Sequence, residues 1–281
     1  PSNEALAFIA QRNGRKELQS LLLPDNKAEL QNWLYGRQLV DVIHEFPIRC
    51  SNDEFIPLLK RMQPRLYSIA SSSKEYADQV HLTVAAVRYE RVFGGKKKMR
   101  KGVSSTFLAD RAEGVDIPLF IQPNKNFRVP ANGNLPMIMV GPGTGVAPFR
   151  GFLQERRARG DQGKNWLFFG EQHAATDFYY RDELEQLQKD GVLTQLSLAF
   201  SRDQKEKIYV QDRMRENGAQ LWEWLEEGGY FFVCGDASRM AKDVDNALRD
   251  IIQTHGKFDE AETANYMRKL SMDKRYVRDV Y

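Results

Sequence analysis

Met137-Ile138-Met139-Val140-Gly141-Pro142-Gly143-Thr144-Gly145-Val146-Ala147-Pro148-Phe149-Arg150 decides the fold. A short apolar strand runs directly into a glycine-rich turn, and the residues from 146 to 159 fit a helix. Beyond the turn the pattern repeats. Strands are expected at 165–169, 194–200 and 230–234, with helices at 179–190, 210–216, 221–226, 238–255 and 260–270. Strands separated by helices imply a parallel, doubly wound sheet. Such a sheet binds ligands beyond the carboxyl ends of its strands, where the glycine turn lies.

Upstream the pattern differs. Arg65-Leu66-Tyr67-Ser68-Ile69-Ala70 reads as a strand, residues 80–87 alternate like a second, and 117–121 like a third. A short helix fits 104–111. Residues 1–62 look helical, because Leu18, Leu21, Leu22, Leu30, Trp33 and Leu34 recur at helical spacing around the break Pro24-Asp25-Asn26.

The composition is that of a folded protein: of 281 residues, 42% are hydrophobic and 28% charged. Apolar runs are too short to span a membrane, and no secretory signal opens the chain, so a soluble, cytoplasmic protein is expected. Cys50 and Cys234 then read as reduced thiols. A net charge of +3 is too small to suggest nucleic acid. The dense basic run Lys96-Lys97-Lys98-Met99-Arg100-Lys101 follows Gly94-Gly95 and reads as a solvated hairpin loop. His44, His81, His173 and His255 are scattered, which argues against a metal site or a protease-like triad.

Three segments carry candidate chemistry. In 141–145 the glycines let the backbone approach a ligand, and the following helix start offers N–H donors to phosphate; a purely structural turn is the alternative. Ser201-Arg202, Lys207, Tyr209 and Gln211 follow a strand end. A guanidinium and an ammonium suit a dianionic phosphate and a phenol ring can stack on adenine, which favours NADPH over NADH. A solvated loop containing Asp203 and Glu206 is an equal alternative. Cys234-Gly235-Asp236 ends the next strand, where a cysteine is most simply a small buried apolar residue.

In order along the chain stand Arg65-Leu66-Tyr67-Ser68, Gly102-Val103-Ser104-Ser105, the turn at 141–148, Ser201-Arg202 with Lys207-Ile208-Tyr209-Val210-Gln211, Cys234-Gly235-Asp236 and Asp279-Val280-Tyr281. Together they resemble the two-flavin branch of the ferredoxin–NADP⁺ reductase superfamily, from about residue 58 onward. Asn165-Trp166-Leu167-Phe168-Phe169-Gly170, Ser201-Arg202-Asp203-Gln204-Lys205-Glu206-Lys207 and the closing tyrosine look most like its sulfite-reducing members.

The resemblance implies an α+β and α/β chain. A helical connecting segment would span 1–62, an antiparallel FAD-binding β-barrel 63–131, and a doubly wound parallel-sheet NADPH-binding domain 132–281. Complete members carry earlier barrel strands and a flavodoxin-like FMN domain. Residues 1–62 contain neither, so the barrel is expected to lack its first strands. By resemblance Arg65, Leu66, Tyr67 and Ser68 hold FAD, Thr83, Val84, Ala85 and Tyr89 support its adenine side, and Gly102, Val103, Ser104 and Ser105 meet its pyrophosphate. Gly141, Gly143 and Thr144 would contact the NADPH pyrophosphate and nicotinamide end. Ser201, Arg202, Lys207, Ile208, Tyr209, Val210 and Gln211 would take the 2′-phosphate and adenine. Asp243 occupies a position that touches the nucleotide, although a plain surface residue fits it as well. Ser68, Cys234 and Asp279 would surround the point of hydride transfer, with Tyr281 stacked on the flavin ring. The implied partners are an FMN-binding flavodoxin-like domain and a sulfite reductase haemoprotein, and the implied activity is electron transfer from NADPH through FAD and FMN. A reductase for another haem acceptor, or a nucleotide-binding fragment without turnover, are the alternatives.

Overall fold

The computed structural model describes residues 1–93 and 96–281. Contacts divide the chain into two units, 1–65 with 86–117 and 66–85 with 118–281.

The first unit begins with helices α1 (Asn3–Asn13), α2 (Lys16–Leu21), α3 (Lys27–Leu34), α4 (Leu39–Glu45) and α5 (Asn52–Phe55). Ser2 caps α1 by accepting the Ala5 N–H at 3.2 Å, and Gly14 ends it in a left-handed conformation. Leu6, Ile9 and Ala10 share one face of α1 and close on Leu18, Val42 and Phe46, with Leu22, Leu30, Trp33 and Leu34 packed around them. Strand β1 (Arg88–Phe93) pairs antiparallel with β2 (Lys96–Lys101), and α6 (Val103–Arg111) follows.

The basic run is therefore not a solvated loop: it forms β2. Gly94 and Gly95 lie outside the described residues. Strand alternation turns Lys98 and Arg100 toward one face, leaving Lys97 and Met99 exposed on the other. The Arg100 guanidinium donates to the buried carboxylate of Asp41, and Lys98 Nζ stands 3.1 Å from the same group.

The second unit carries β3 (Met137–Val140), α7 (Ala147–Arg159), β4 (Asn165–Glu171), α8 (Ala174–Asp177), α9 (Arg181–Lys189), β5 (Gln195–Phe200), α10 (Val210–Glu216), α11 (Gly218–Glu226), β6 (Tyr230–Gly235), α12 (Met240–Gly256), α13 (Glu260–Met272) and β7 (Tyr276–Val280). The sheet order is β5-β4-β3-β6-β7, with every pair parallel. Alternate residues feed two cores. Ile138, Val140, Trp166, Phe168, Phe231 and Val233 join the apolar faces of α10 to α13. Met137, Met139, Leu167, Phe169, Phe232 and Cys234 join Phe149 and Leu153 of α7 and Leu184 and Leu187 of α9. Burial on both faces explains why these strands read as unbroken apolar runs. The doubly wound expectation is met, and β7, which was not among the expected strands, extends the sheet beside β6.

The expected strands at 65–70, 80–87 and 117–121 do not form ladders. One antiparallel bridge joins Ile69 to Leu82, and the Ala70 N–H donates to the His81 carbonyl at 2.8 Å. Strand propensity needs a neighbouring strand to act on. Residues 117–121 have none among the described residues, and Leu119, Phe120 and Ile121 stay exposed.

Side chains of α7 anchor the 66–85 segment instead. Buried Arg150 donates to the Ala70 carbonyl at 2.7 Å, lies 2.9 Å from His81 Nδ1 and pairs with Glu183 at 2.7 Å. Gln154 Oε1 accepts the Ser72 N–H at 3.0 Å. These contacts tie down the segment that carries Ser68.

Candidate functional site

The turn after β3 is closed toward the sheet and open on its other side. A Cβ at Gly145 would lie 2.1 Å from the Cys234 carbonyl oxygen, and one at Gly141 would lie 2.5 Å from the Gly145 carbonyl oxygen. No side chain fits at either place. Gly143 has φ 58°, which favours glycine, and its Cβ direction is open except for Glu171 Oε1 at 3.5 Å. A 3₁₀ turn, Gly143–Val146, then leads into α7, with Pro148 in the first turn, where an N–H has no helical partner to lose. An open, glycine-lined rim beside a helix start suits the close approach of a phosphate backbone, so the turn fits a dinucleotide.

Four expected residues meet at the adjoining strand ends. Cys234 of β6 lies opposite Asp279 of β7 in the parallel register. The Ser68 hydroxyl donates to Asp279 Oδ2 at 3.3 Å. Burial, and then the neighbouring Asp279 carboxylate, push the Cys234 thiol up to about 12 against a smaller opposing effect of Ser68. The cysteine is therefore a neutral, buried thiol at ordinary pH. Tyr281 follows β7, and its hydroxyl shares a 3.0 Å hydrogen bond with Thr144 Oγ1 of the glycine turn. One small region thus gathers Ser68, Thr144, Cys234, Asp279 and Tyr281. Asp236 has a local duty: its carboxylate accepts the Ser238 hydroxyl at 2.8 Å and the Arg239 N–H at 2.9 Å, which hold it at about 2 as it caps the entry to α12.

The loop after β5 is laced to the loop after β4. Ser201 N–H donates to the Glu171 carbonyl at 2.8 Å, and Arg202 N–H to the Gln172 carbonyl at 2.9 Å. Asp203 accepts the Ala174 N–H at 2.8 Å and lies 2.9 Å from His173 Nδ1. The Ala174 N–H and then His173 hold the Asp203 carboxyl below its ordinary value. Asp203 is thus engaged with the β4 side, whereas Arg202, Lys205 and Lys207 are exposed and form no ion pair among the described residues. Tyr209, partly exposed, precedes α10 and caps it through its own N–H, which donates to Asp212 at 2.8 Å. Ile208 is half-buried, Val210 belongs to the core, and Gln211 is half-buried on the first turn of α10. Asp243 lies exposed on the first turn of α12.

The remaining expected residues are divided between the units. In the second, Leu66 is exposed, Tyr67 half-buried, and Thr83 Oγ1 lies 2.7 Å from Tyr180 Oη; Val84 is half-buried and Ala85 exposed. In the first, Arg65 is exposed and Tyr89 lies on β1. Gly102 precedes α6, with Val103 exposed and Ser104 half-buried. Ser105 is buried, its hydroxyl accepting the Val87 N–H at 3.2 Å. A Cβ at Gly102 would lie 2.5 Å from that hydroxyl, so this glycine gives room to the fold itself.

Sequence reasoning missed Arg150, His173, Glu171 and Tyr180, which position the site without standing in a motif. A basic residue inside the apolar first turns of α7 was the one signal available, for Arg150.

Residues 3–107 match a family model described as an FAD binding domain, and residues 139–246 one described as an oxidoreductase NAD-binding domain. The sulfite reductase [NADPH] flavoprotein alpha-component of Mannheimia succiniciproducens is 49% identical, over 98% of this chain and 46% of that protein. Those of Bacillus subtilis and Escherichia coli O139:H28 are 47% and 46% identical, over 98% and 100% of this chain and 45% and 48% of theirs. Along nearly its whole length the chain is similar to part of these sulfite reductase flavoprotein alpha-components. It spans about half the length of the curated relatives it matches. These matches meet the resemblance drawn from the motifs, and the two matched domains agree with the expected cofactors, FAD and NADPH. No helix among the described residues is long and apolar enough to cross a membrane.

Proposed function

We propose that the chain is the NADPH-oxidising, FAD-reducing part of a cytoplasmic sulfite reductase flavoprotein. The observation that carries this reading is the meeting of Ser68, Cys234, Asp279 and Tyr281 beside the 141–145 turn. When bound, NADPH supplies a hydride from nicotinamide C4 and FAD accepts it at N5.

The chain's own part is positioning. Gly141, Gly143 and Thr144 receive the dinucleotide, and Ser201, Arg202, Lys207 and Tyr209, with Ile208, Val210 and Gln211 shaping their loop, hold its 2′-phosphate and adenine. Asp243 lies further along the nucleotide side. Arg65, Leu66, Tyr67, Ser68, Thr83, Val84, Ala85, Tyr89 and the 102–105 segment hold FAD. The neutral Cys234 thiol leaves room for the nicotinamide without adding charge, while the Asp279 carboxylate and Ser68 hydroxyl fix the polar side of the reacting centre. In domain terms, 1–62 connects, 63–131 binds FAD and 132–281 binds NADPH. Electrons would then pass through FMN, bound by a flavodoxin-like domain outside this chain, to a sulfite reductase haemoprotein.

Anaerobic stopped-flow mixing of the FAD-supplemented chain with NADPH and with NADH tests the reading. Bleaching of the flavin band at far lower NADPH than NADH concentration is expected. Equal response to both would remove the 2′-phosphate assignment. A flavin that binds but is never reduced would remove the catalytic one. The exposed apolar residues at 119–121 favour a second reading, a nucleotide-binding fragment that retains no FAD. A purified chain that stays colourless after flavin addition and desalting would select it.

A further inference from the structure

Glu171, the last residue of β4, is fixed through both its backbone and its side chain. Its carbonyl accepts the Ser201 N–H at 2.8 Å and the Ser201 hydroxyl at 3.3 Å, so the backbone is part of the lacing of the β5 loop. On the side chain, Oε1 accepts the Tyr179 hydroxyl at 3.3 Å and Oε2 accepts the Gln172 N–H at 2.7 Å. Both donors are neutral, and no ion pair among the described residues compensates the carboxylate.

The place of that charge gives it a consequence. A Cβ at Gly143, on the side where the glycine turn opens, would meet Glu171 Oε1 at 3.5 Å. A dinucleotide that lays its pyrophosphate along the 141–145 turn therefore brings like charge close to a fixed carboxylate. Half-buried Glu171 can retreat only by giving up Tyr179 and Gln172. We propose that Glu171 sets the affinity of the turn by opposing the pyrophosphate, so that NADPH and NADP⁺ are held more weakly than the turn alone would hold them. The inference rests on the turn being the NADPH site. Oxidised dinucleotide must leave after every hydride transfer, and a weaker hold shortens its stay. The opposition falls chiefly on the pyrophosphate, because in the same reading the 2′-phosphate meets the Arg202 and Lys207 cations of another loop.

Two ligands separate these parts: NADP⁺, and 2′-AMP, which carries the 2′-phosphate but no pyrophosphate. Calorimetric titration of both into the wild-type chain, Glu171→Gln and Tyr179→Phe gives the test. Glu171→Gln removes the charge and keeps a carbonyl oxygen for Tyr179. At low salt it should tighten NADP⁺ roughly three- to thirtyfold, the scale of one like-charge contact near a surface, and leave 2′-AMP within about twofold of wild type. The gain should shrink between about 20 mM and about 500 mM salt, as screening sets in. Tyr179→Phe loosens the side chain but keeps its charge, and should not tighten NADP⁺. Unaltered or weakened NADP⁺ binding by Glu171→Gln overturns the proposal and leaves the dinucleotide site intact. So does a gain that 2′-AMP shares, that salt leaves untouched or that Tyr179→Phe reproduces, because each would come from the fit of the loop rather than from its charge at the turn. Failure of wild type to bind NADP⁺ overturns the site, and the proposal with it.

Discussion

Cys234 and Cys50 are both free, but only Cys50 is exposed. At pH 8 a thiol titrating near 12 is ionised in about one molecule in ten thousand, and alkylation needs the thiolate and access together. Iodoacetamide should therefore modify the native chain once, at Cys50, and reach Cys234 only after unfolding. Peptide mass analysis distinguishes the two, and rapid native labelling of Cys234 would contradict the buried thiol. The reading of Cys234 as a small buried apolar residue was available from its place at the end of an apolar strand. Its juxtaposition with Ser68 was not, because 165 intervening positions separate the two and only the sheet order brings β6 to the segment held by Arg150. The same holds for His173 and Asp203, which meet because β4 and β5 are neighbours.

Elements differ in how plainly their sequences speak. β3 and its turn were legible because burial on both faces makes a continuous apolar run and the turn demands glycine. β2 was hidden because four lysines mask its alternation, and the decisive partner, Asp41, lies on a distant helix. That carboxylate titrates at about 2: burial pushes it up, but Arg100, the Gln38 N–H and Lys98 together outweigh burial. A carboxyl held below its ordinary 3.8 stabilises the folded state while it is ionised. The contribution is complete above about pH 5 and is lost as pH falls from about 4 toward 2, where the folded carboxylate takes up its proton. Asp41→Asn should lower stability at pH 7 by about 2–3 kcal/mol, because it leaves Arg100 with a neutral partner. The difference from wild type should shrink across that acid range. Urea unfolding at pH 7, 4 and 2.5 reads both effects, and a pH-independent difference would mean the ion pair is not its source.

For the whole molecule, fold class and nucleotide-side architecture followed from the alternation of strands and helices, whereas contacts divide the chain differently from simple sequence order. Residues 66–85 belong with the parallel sheet, and 86–117 with the first helices. Sequence pattern could not foresee this, because the anchoring groups are single side chains such as Arg150 and Gln154 rather than periodic stripes. Strand propensity at 117–121 likewise could not reveal that no neighbouring strand would be there. The lacing of the β5 loop onto the β4 loop works in the opposite direction, since it makes an exposed loop stiff. With Ser201 and Arg202 main-chain N–H groups already bonded, the backbone of the residues proposed to choose between NADPH and NADH is set before any nucleotide arrives. A receptor prepared in this way gives up little conformational freedom on binding. In deuterium exchange the Ser201 and Arg202 amides of the ligand-free chain should be protected almost as long as those of β5, and 2′,5′-ADP should slow them little further. Fast exchange that the ligand abolishes would mean instead that coenzyme choice is made by ordering the loop, and discrimination would then weaken steeply with rising temperature.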